Sequence, residues 1–130
     1  KVIYEAKDGT QFDLEEECRK YERRHCALLD RHSFFASDAD GNYVPADDYG
    51  YSQDDFDYFC CFTEEGVKAC EEFFYENCLH RDFALEQDKV YHYNYDKEEW
   101  RPLSERLEYL SHELNRLSAI EQKILSAKQS

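Results

Sequence analysis

The chain has no lysine or arginine between Arg31 and Lys68. Carboxylates and aromatic side chains fill this stretch instead (Asp38, Asp40, Asp47, Asp48, Asp54, Asp55, Asp57, Glu64, Glu65; Phe34, Phe35, Tyr43, Tyr49, Tyr51, Phe56, Tyr58, Phe59, Phe62). An acidic stretch with few aromatics is typical of disordered, solvated segments. Because these aromatics can form a core, we expect the stretch to fold and to hold its carboxylates in fixed positions.

Long apolar runs are also missing. None approaches the roughly 18 residues that a membrane-spanning helix needs, and the opening KVIYEAKDGT contains no apolar signal core. We therefore expect a cytoplasmic protein with reduced cysteines. The net charge of −14 argues against direct binding of nucleic acid or of an anionic membrane, which need clustered Lys and Arg. It favours a basic partner.

Metal and catalytic motifs are sparse. The six cysteines include no C-x2–4-C pairs of the kind that zinc sites use. The acidic run that starts at Asp38 fails the EF-hand pattern, because Gly41 takes the fourth position and Tyr49 the position of the bidentate glutamate. We expect no cofactor and no enzymatic activity. Two alternatives remain. One is a metal site between two helices, with Cys18 or Cys26 from one helix and Cys70 or Cys78 from the other; the second is a small metal-dependent enzyme.

Charge divides the chain into two parts. Residues 101–130 carry five lysines and arginines against four glutamates, so residues 1–100 have a net charge of −15 against −14 for the whole chain. We interpret residues 1–100 as an acidic α+β domain and residues 101–130 as a C-terminal amphipathic helix.

Local patterns predict strands over residues 2–6, 11–12, 33–36, 56–62 and 89–95. Helices are predicted over residues 14–30, 64–80 and 102–127, with Asp13 and Thr63 as N-caps of the first two. The resulting fold class is α+β: a small antiparallel sheet, two packed helices and a long C-terminal helix.

The C-terminal helix carries a leucine seam with alternating spacings of four and three residues (Leu103, Leu107, Leu110, Leu114, Leu117, Ile124). Glu121 interrupts it. This spacing is typical of a short coiled coil, although an amphipathic helix packed on its own domain has the same pattern. We expect a homodimer with these residues at its interface.

Residues 2–22 resemble the start of many small phage and prophage proteins: a strand, an Asp-Gly-Thr turn, an aromatic residue and an acidic helix with the sequence EEC…YE. The resemblance implies an acidic inhibitor of host defence, of the anti-CRISPR or anti-restriction type, working in the host cytoplasm. Several such families act as DNA mimics or as dimeric plugs. No functional residue carries over from the resemblance.

The predicted function is therefore a DNA mimic that binds the basic groove of a host nucleic-acid-binding protein, either a defence or a DNA-processing protein. The alternative is a dimeric regulatory or scaffolding module that works through the leucine seam. The predicted partner-binding residues are the following (Asp38, Asp40, Asp47, Asp48, Tyr49, Tyr51, Asp54, Asp55, Asp57, Glu64, Glu65).

Overall fold

A computed structural model describes residues 2–7, 9–48 and 50–128, apart from the side chains of residues 23–25. It confirms the α+β class and the long C-terminal helix. In chain order the elements are β1 (Tyr4–Glu5), β2 (Gln11–Phe12), α1 (Glu15–Ala27), β3 (Phe34–Ser37), β4 (Tyr58–Cys61), α2 (Glu64–Glu76), β5 (Val90–Asn94), β6 (Glu99–Pro102) and α3 (Leu103–Ala127).

The main sheet is antiparallel, with strand order β3-β4-β5-β6, and β1 and β2 form a separate hairpin. Phe59 at the centre of β4 pairs with Ala36 on one side and with Tyr91 on the other. The sequence did not predict β6. Its four residues include two charged side chains and Pro102, which an edge strand tolerates because its backbone need not donate on both sides.

The core is largely aromatic and lies between the sheet and α2. Phe59 stacks on Tyr91 with ring centroids 5.1 Å apart, and it also meets Trp100 edge-on at 5.1 Å. From α2, Phe73 and Phe74 are buried against the sheet. Large buried aromatic side chains contribute much apolar area per residue, so they hold together a domain whose surface is strongly acidic.

Both ends of α2 have defined caps. The Thr63 side chain accepts a hydrogen bond from the Gly66 N–H at 3.0 Å, which confirms the predicted N-cap. At the other end the Leu79 N–H donates to the Phe74 carbonyl at 2.8 Å and the Cys78 N–H donates to Tyr75 at 3.2 Å. This is the Schellman arrangement, and it ends the helix at Glu76, earlier than predicted.

The boundaries of α1 correct two predictions. The N-cap residue is Leu14 rather than Asp13, and it makes no side-chain cap hydrogen bond. The helix ends at Ala27 rather than near residue 30, because the N–H groups of Leu29 and Asp30 donate to carbonyls three residues back, Cys26 and Ala27, instead of four, and the Asp30 carbonyl then accepts the N–H groups of Ser33 and Phe34. That turn leads the chain into β3. The predicted turn residue Asp8 lies outside the described residues.

Arg101 fixes the start of α3. Its guanidinium forms ion pairs with Asp82 and with Glu105, the latter at 2.8 Å, and lies 5.2 Å from the ring centroid of Phe83. Beyond this first turn the helix has no buried residue among those described. Leu103 is half-buried at the junction, whereas the rest of the leucine seam, from Leu107 to Ile124, is exposed and does not pack on its own domain. Within the described part of the chain, no helix has the length and apolar character needed to cross a bilayer.

Candidate functional site

Residues 38–57, here called the acidic segment, form the connection between β3 and β4. The segment begins with a tight turn in which a side-chain oxygen of Asp38 accepts the N–H groups of Asp40 and Asn42, both at 2.9 Å. Next, the Val44 N–H donates to the Ala36 carbonyl at 2.9 Å. The segment is thus an ordered loop that folds back along β3.

Tyr51 anchors the middle of the acidic segment to the core. Its ring contacts Phe34 and Phe56 edge-on, with centroids 5.5 and 5.4 Å away, and its hydroxyl donates to the Val44 carbonyl at 2.6 Å. Burial, together with the nearby Tyr43 hydroxyl, raises the pKa of Tyr51 above its usual value. Although Tyr51 was predicted to contact a partner, its hydroxyl is engaged within the loop.

The predicted carboxylates divide into two groups. Several stabilise local structure: besides Asp38, Asp55 accepts the Ser52 N–H at 2.7 Å, Asp57 accepts the Tyr95 hydroxyl, and Glu64 pairs with Lys68 at 3.4 Å. The others have side chains that are exposed to solvent (Asp40, Asp47, Asp48, Asp54, Glu65). The predicted contact residue Tyr49 lies outside the described residues.

A cavity of about 560 Å³ lies where the end of the acidic segment meets the C-terminus of α2 and the β5–β6 hairpin. We call it the aromatic pocket. The pocket is lined by residues from all three elements (Asp54, Cys78, Tyr93, Tyr95, Glu98, Trp100). Its lining also includes Glu99, Lys97 and His80. The pocket therefore joins carboxylates that are far apart in the sequence.

Three aromatic side chains form one wall of the aromatic pocket. The Tyr93 ring lies 4.9 Å from Tyr95 and 5.4 Å from Trp100, edge-on in both contacts. The Tyr95 hydroxyl donates to Asp57, which raises the pKa of that phenol and ties the hairpin to the acidic segment. Trp100 is only 2% exposed, and its indole Nε1 has no hydrogen-bond partner among the described residues.

The cysteines do not form a reactive or metal-binding cluster in the described part of the chain. No group of three or more His, Cys, Asp or Glu residues there could hold a metal ion. Burial raises the pKa of Cys60 to about 11 and that of Cys70 well above its usual value. These thiols therefore stay protonated at neutral pH, which suits core packing better than nucleophilic chemistry.

Sequence reasoning missed the aromatic pocket. The available signal was the alternation of Tyr91, Tyr93 and Tyr95 along the predicted strand over residues 89–95. The three side chains nevertheless differ in burial: Tyr91 is in the core, Tyr93 is half-buried and Tyr95 is 69% exposed. Cys78 and Trp100 also line the pocket, but they do so through contacts between distant segments, which no local sequence pattern shows.

Comparisons with protein-family models, with curated proteins and with solved structures give no match to this chain. Any function must therefore be argued from the arrangement of the acidic segment, the aromatic pocket and the exposed seam of α3.

Proposed function

We propose that the protein is a non-enzymatic binding protein whose acidic segment occupies a basic, nucleic-acid-binding site of another protein in place of DNA or RNA. The observation that carries this proposal is an ordered loop, anchored through Tyr51, that exposes carboxylates such as Asp40 and Asp48. A fixed anionic surface can compete for the cationic groups that normally neutralise phosphates.

Short aspartate side chains suit this role. They keep the charge close to the backbone and lose little rotamer freedom when they bind. Residues 32–67 contain no Lys or Arg; the flanking Arg31 lies 5.1 Å from the ring of Tyr43 and Lys68 pairs with Glu64, which leaves the stretch with a large net negative charge. Attraction to a basic groove should therefore be strong, and it should weaken steeply as salt is added.

Charge reversal tests the proposal. The test variant carries Asp40→Lys, Asp48→Lys and Glu65→Lys, and the control carries Glu17→Lys, Glu71→Lys and Glu108→Lys, which change the net charge equally. Wild type and control should capture nucleic-acid-binding proteins from a bacterial lysate and displace labelled duplex DNA from them, as measured by fluorescence anisotropy. The test variant should do neither.

Two results would contradict the proposal. If the test variant displaces DNA as well as the control does, the contact is not made through the acidic segment. If wild type captures proteins but never competes with their DNA, the protein binds without mimicking nucleic acid. A role as a phage inhibitor of host defence depends on the resemblance of residues 2–22 alone, and it is part of this proposal only as the setting in which such a mimic would work.

A second candidate function is a homodimeric module held together by α3. The observation that favours it is the exposure of the seam: Leu107, Leu110, Leu114, Leu117 and Ile124 are all between 46% and 66% exposed. Monomeric proteins rarely leave a continuous apolar stripe in water. The heptad spacing suits a second copy of the same helix, so we propose a coiled-coil homodimer that presents the acidic segment twice.

The dimer can be tested without disturbing the core. Leu110→Ala and Leu114→Ala remove seam contacts but retain helix propensity, whereas Glu108→Ala and Asn115→Ala change the same helix away from the seam. Sedimentation equilibrium should show a dimer for wild type and for the off-seam variant, and a monomer for the seam variant. A monomeric wild type at high concentration would contradict the proposal.

A further inference from the structure

We propose that the aromatic pocket binds one arginine side chain of the partner protein, so that it supplies a specific contact within a largely electrostatic interface. This inference rests on the proposed function, since it assumes a basic protein partner. The pocket's volume of about 560 Å³ falls in the range of ligand pockets, roughly 300–1,000 Å³. It adjoins the acidic segment through Asp54, so one partner surface can contact both.

Electrostatics favour a cation in the aromatic pocket. Three carboxylates line it (Asp54, Glu98, Glu99), against the single lysine Lys97. The residues that follow α2 also line it, and the C-terminus of a helix carries partial negative charge. The last turn of α2 contains no basic residue that would satisfy this charge. A bound cation would therefore gain from the carboxylates and from the helix end together.

The aromatic wall favours guanidinium over ammonium. The Tyr93 ring lies 4.9 Å from the exposed Tyr95 ring, and the buried Trp100 supports Tyr93 from behind at 5.4 Å, so the two tyrosines offer the ring surface along one side of the pocket. A planar guanidinium stacks on such rings and can form two parallel hydrogen bonds with a carboxylate. A lysine ammonium would be attracted to the carboxylates of the pocket, but it could not stack on the aromatic rings or form the two parallel hydrogen bonds. We therefore expect arginine to bind more tightly than lysine.

Two further features distinguish the pocket from an ordinary surface hollow. Cys78 and Glu98 both line it, and both have left-handed backbone conformations, with φ of 55° and 54°. At Cys78 this conformation belongs to the Schellman end of α2, and at Glu98 to the turn between β5 and β6, so both pocket-lining residues are held in defined turns. In addition, the buried Trp100 Nε1 lacks an acceptor among the described residues.

The single tryptophan of the chain makes the test selective, because Trp100 lies in the pocket wall. Capped tripeptides Gly-Arg-Gly, Gly-Lys-Gly and Gly-citrulline-Gly would be titrated into the full-length protein while tryptophan fluorescence is recorded. The arginine peptide should give a saturable change, the lysine peptide a weaker one, and the neutral citrulline peptide none. Binding should also protect the exposed Cys78 from alkylation.

Matched variants locate the site. Glu98→Gln with Glu99→Gln should weaken arginine-peptide binding by about tenfold or more, as expected when charge-assisted hydrogen bonds are lost. Asp40→Asn with Asp48→Asn, which lie outside the pocket, should leave binding unchanged. Equal responses to arginine and citrulline, no saturation, or full binding by the Glu98/Glu99 variant would each overturn the inference.

The two proposals can fail separately. The peptide titration uses no partner protein, and the charge-reversal test of the acidic segment changes no residue that lines the pocket. Loss of DNA competition with intact peptide binding would refute only the nucleic-acid mimicry. Absence of peptide binding while DNA competition persists would refute only the arginine pocket.

Discussion

Cys78 illustrates how a single residue sets the end of a helix. It occupies the position after the C-cap of α2 with φ of 55°, where glycine is the usual residue. A side chain other than glycine in this conformation costs about 1–2 kcal/mol. The sequence could not reveal this, because cysteine has no preference for left-handed backbone and the helical apolar pattern continues through Cys78.

We predict that Cys78→Gly stabilises the protein by about 1 kcal/mol, because glycine relieves the left-handed strain and the exposed thiol contributes little packing. The change would be measured as a higher urea midpoint at fixed protein concentration. Cys78→Ala, which keeps the Cβ atom, is the matched control and should give no gain. If glycine and alanine destabilise equally, the thiol makes contacts that outweigh the strain.

At the scale of elements, the junction of β5 with α3 shows how the long helix is attached. The half-buried His92 on β5 lies near Arg106 and Glu105 of α3 and near Arg101 of β6. Burial lowers the pKa of His92 below its usual 6.5, Arg106 and Arg101 add to this effect, and Glu105 opposes it. The folded protein therefore favours neutral His92.

This lowered pKa gives the junction a pH dependence with a definite sign. As pH falls below about 6.5, the unfolded chain binds a proton at His92 more readily than the folded chain does, so stability decreases until the lowered pKa is passed. We predict that His92→Gln reduces this loss, as measured by urea unfolding at several pH values. His112→Gln, an exposed change on α3, should leave the pH profile as in wild type. Identical profiles for all three proteins would contradict the prediction.

At the scale of the whole molecule, charge and the seam together determine how two copies would pair. In a parallel dimer the seam residue Glu121 would face its equivalent in the second copy, and two bodies of net charge −15 would lie at the same end. An antiparallel pair places Glu121 beside Leu110 and pairs Leu114 with Leu117. The apolar side chains of Ile120 and Leu125 would contact each other only in the parallel pair. That contact would stabilise the parallel pair by less than the repulsion between its two facing Glu121 carboxylates would destabilise it.

We predict an antiparallel dimer with the acidic bodies at opposite ends of α3. The helix has 25 residues, so the bodies would be separated by about 37 Å at 1.5 Å per residue, well beyond the Debye length of roughly 8 Å in physiological salt. Spin labels on Cys78, measured by pulsed dipolar spectroscopy, should give a long distance of this order. A short distance between the two labels would show that the pair is parallel.

The sequence by itself determined the features that depend on local periodicity. The strand containing Tyr91 and Tyr93, the Thr63 cap and nearly the full extent of α3 follow from spacing and from short-range hydrogen bonding, which neighbouring residues decide among themselves. The charge division at residue 100 is likewise a property of composition. Together these features were sufficient to predict the α+β class.

Only the tertiary structure decided which side chains meet. Edge strand β6 exists because β5 offers it a pairing partner, and Asp54, Cys78 and Glu98 reach one pocket because the sheet and α2 bring distant segments together. Whether the seam of α3 is covered or exposed also depends on where Arg101 directs the helix. Local sequence patterns do not show which distant segments come into contact. The acidic segment is continuous in the sequence and was therefore predicted, whereas the aromatic pocket depends on long-range contacts and was not.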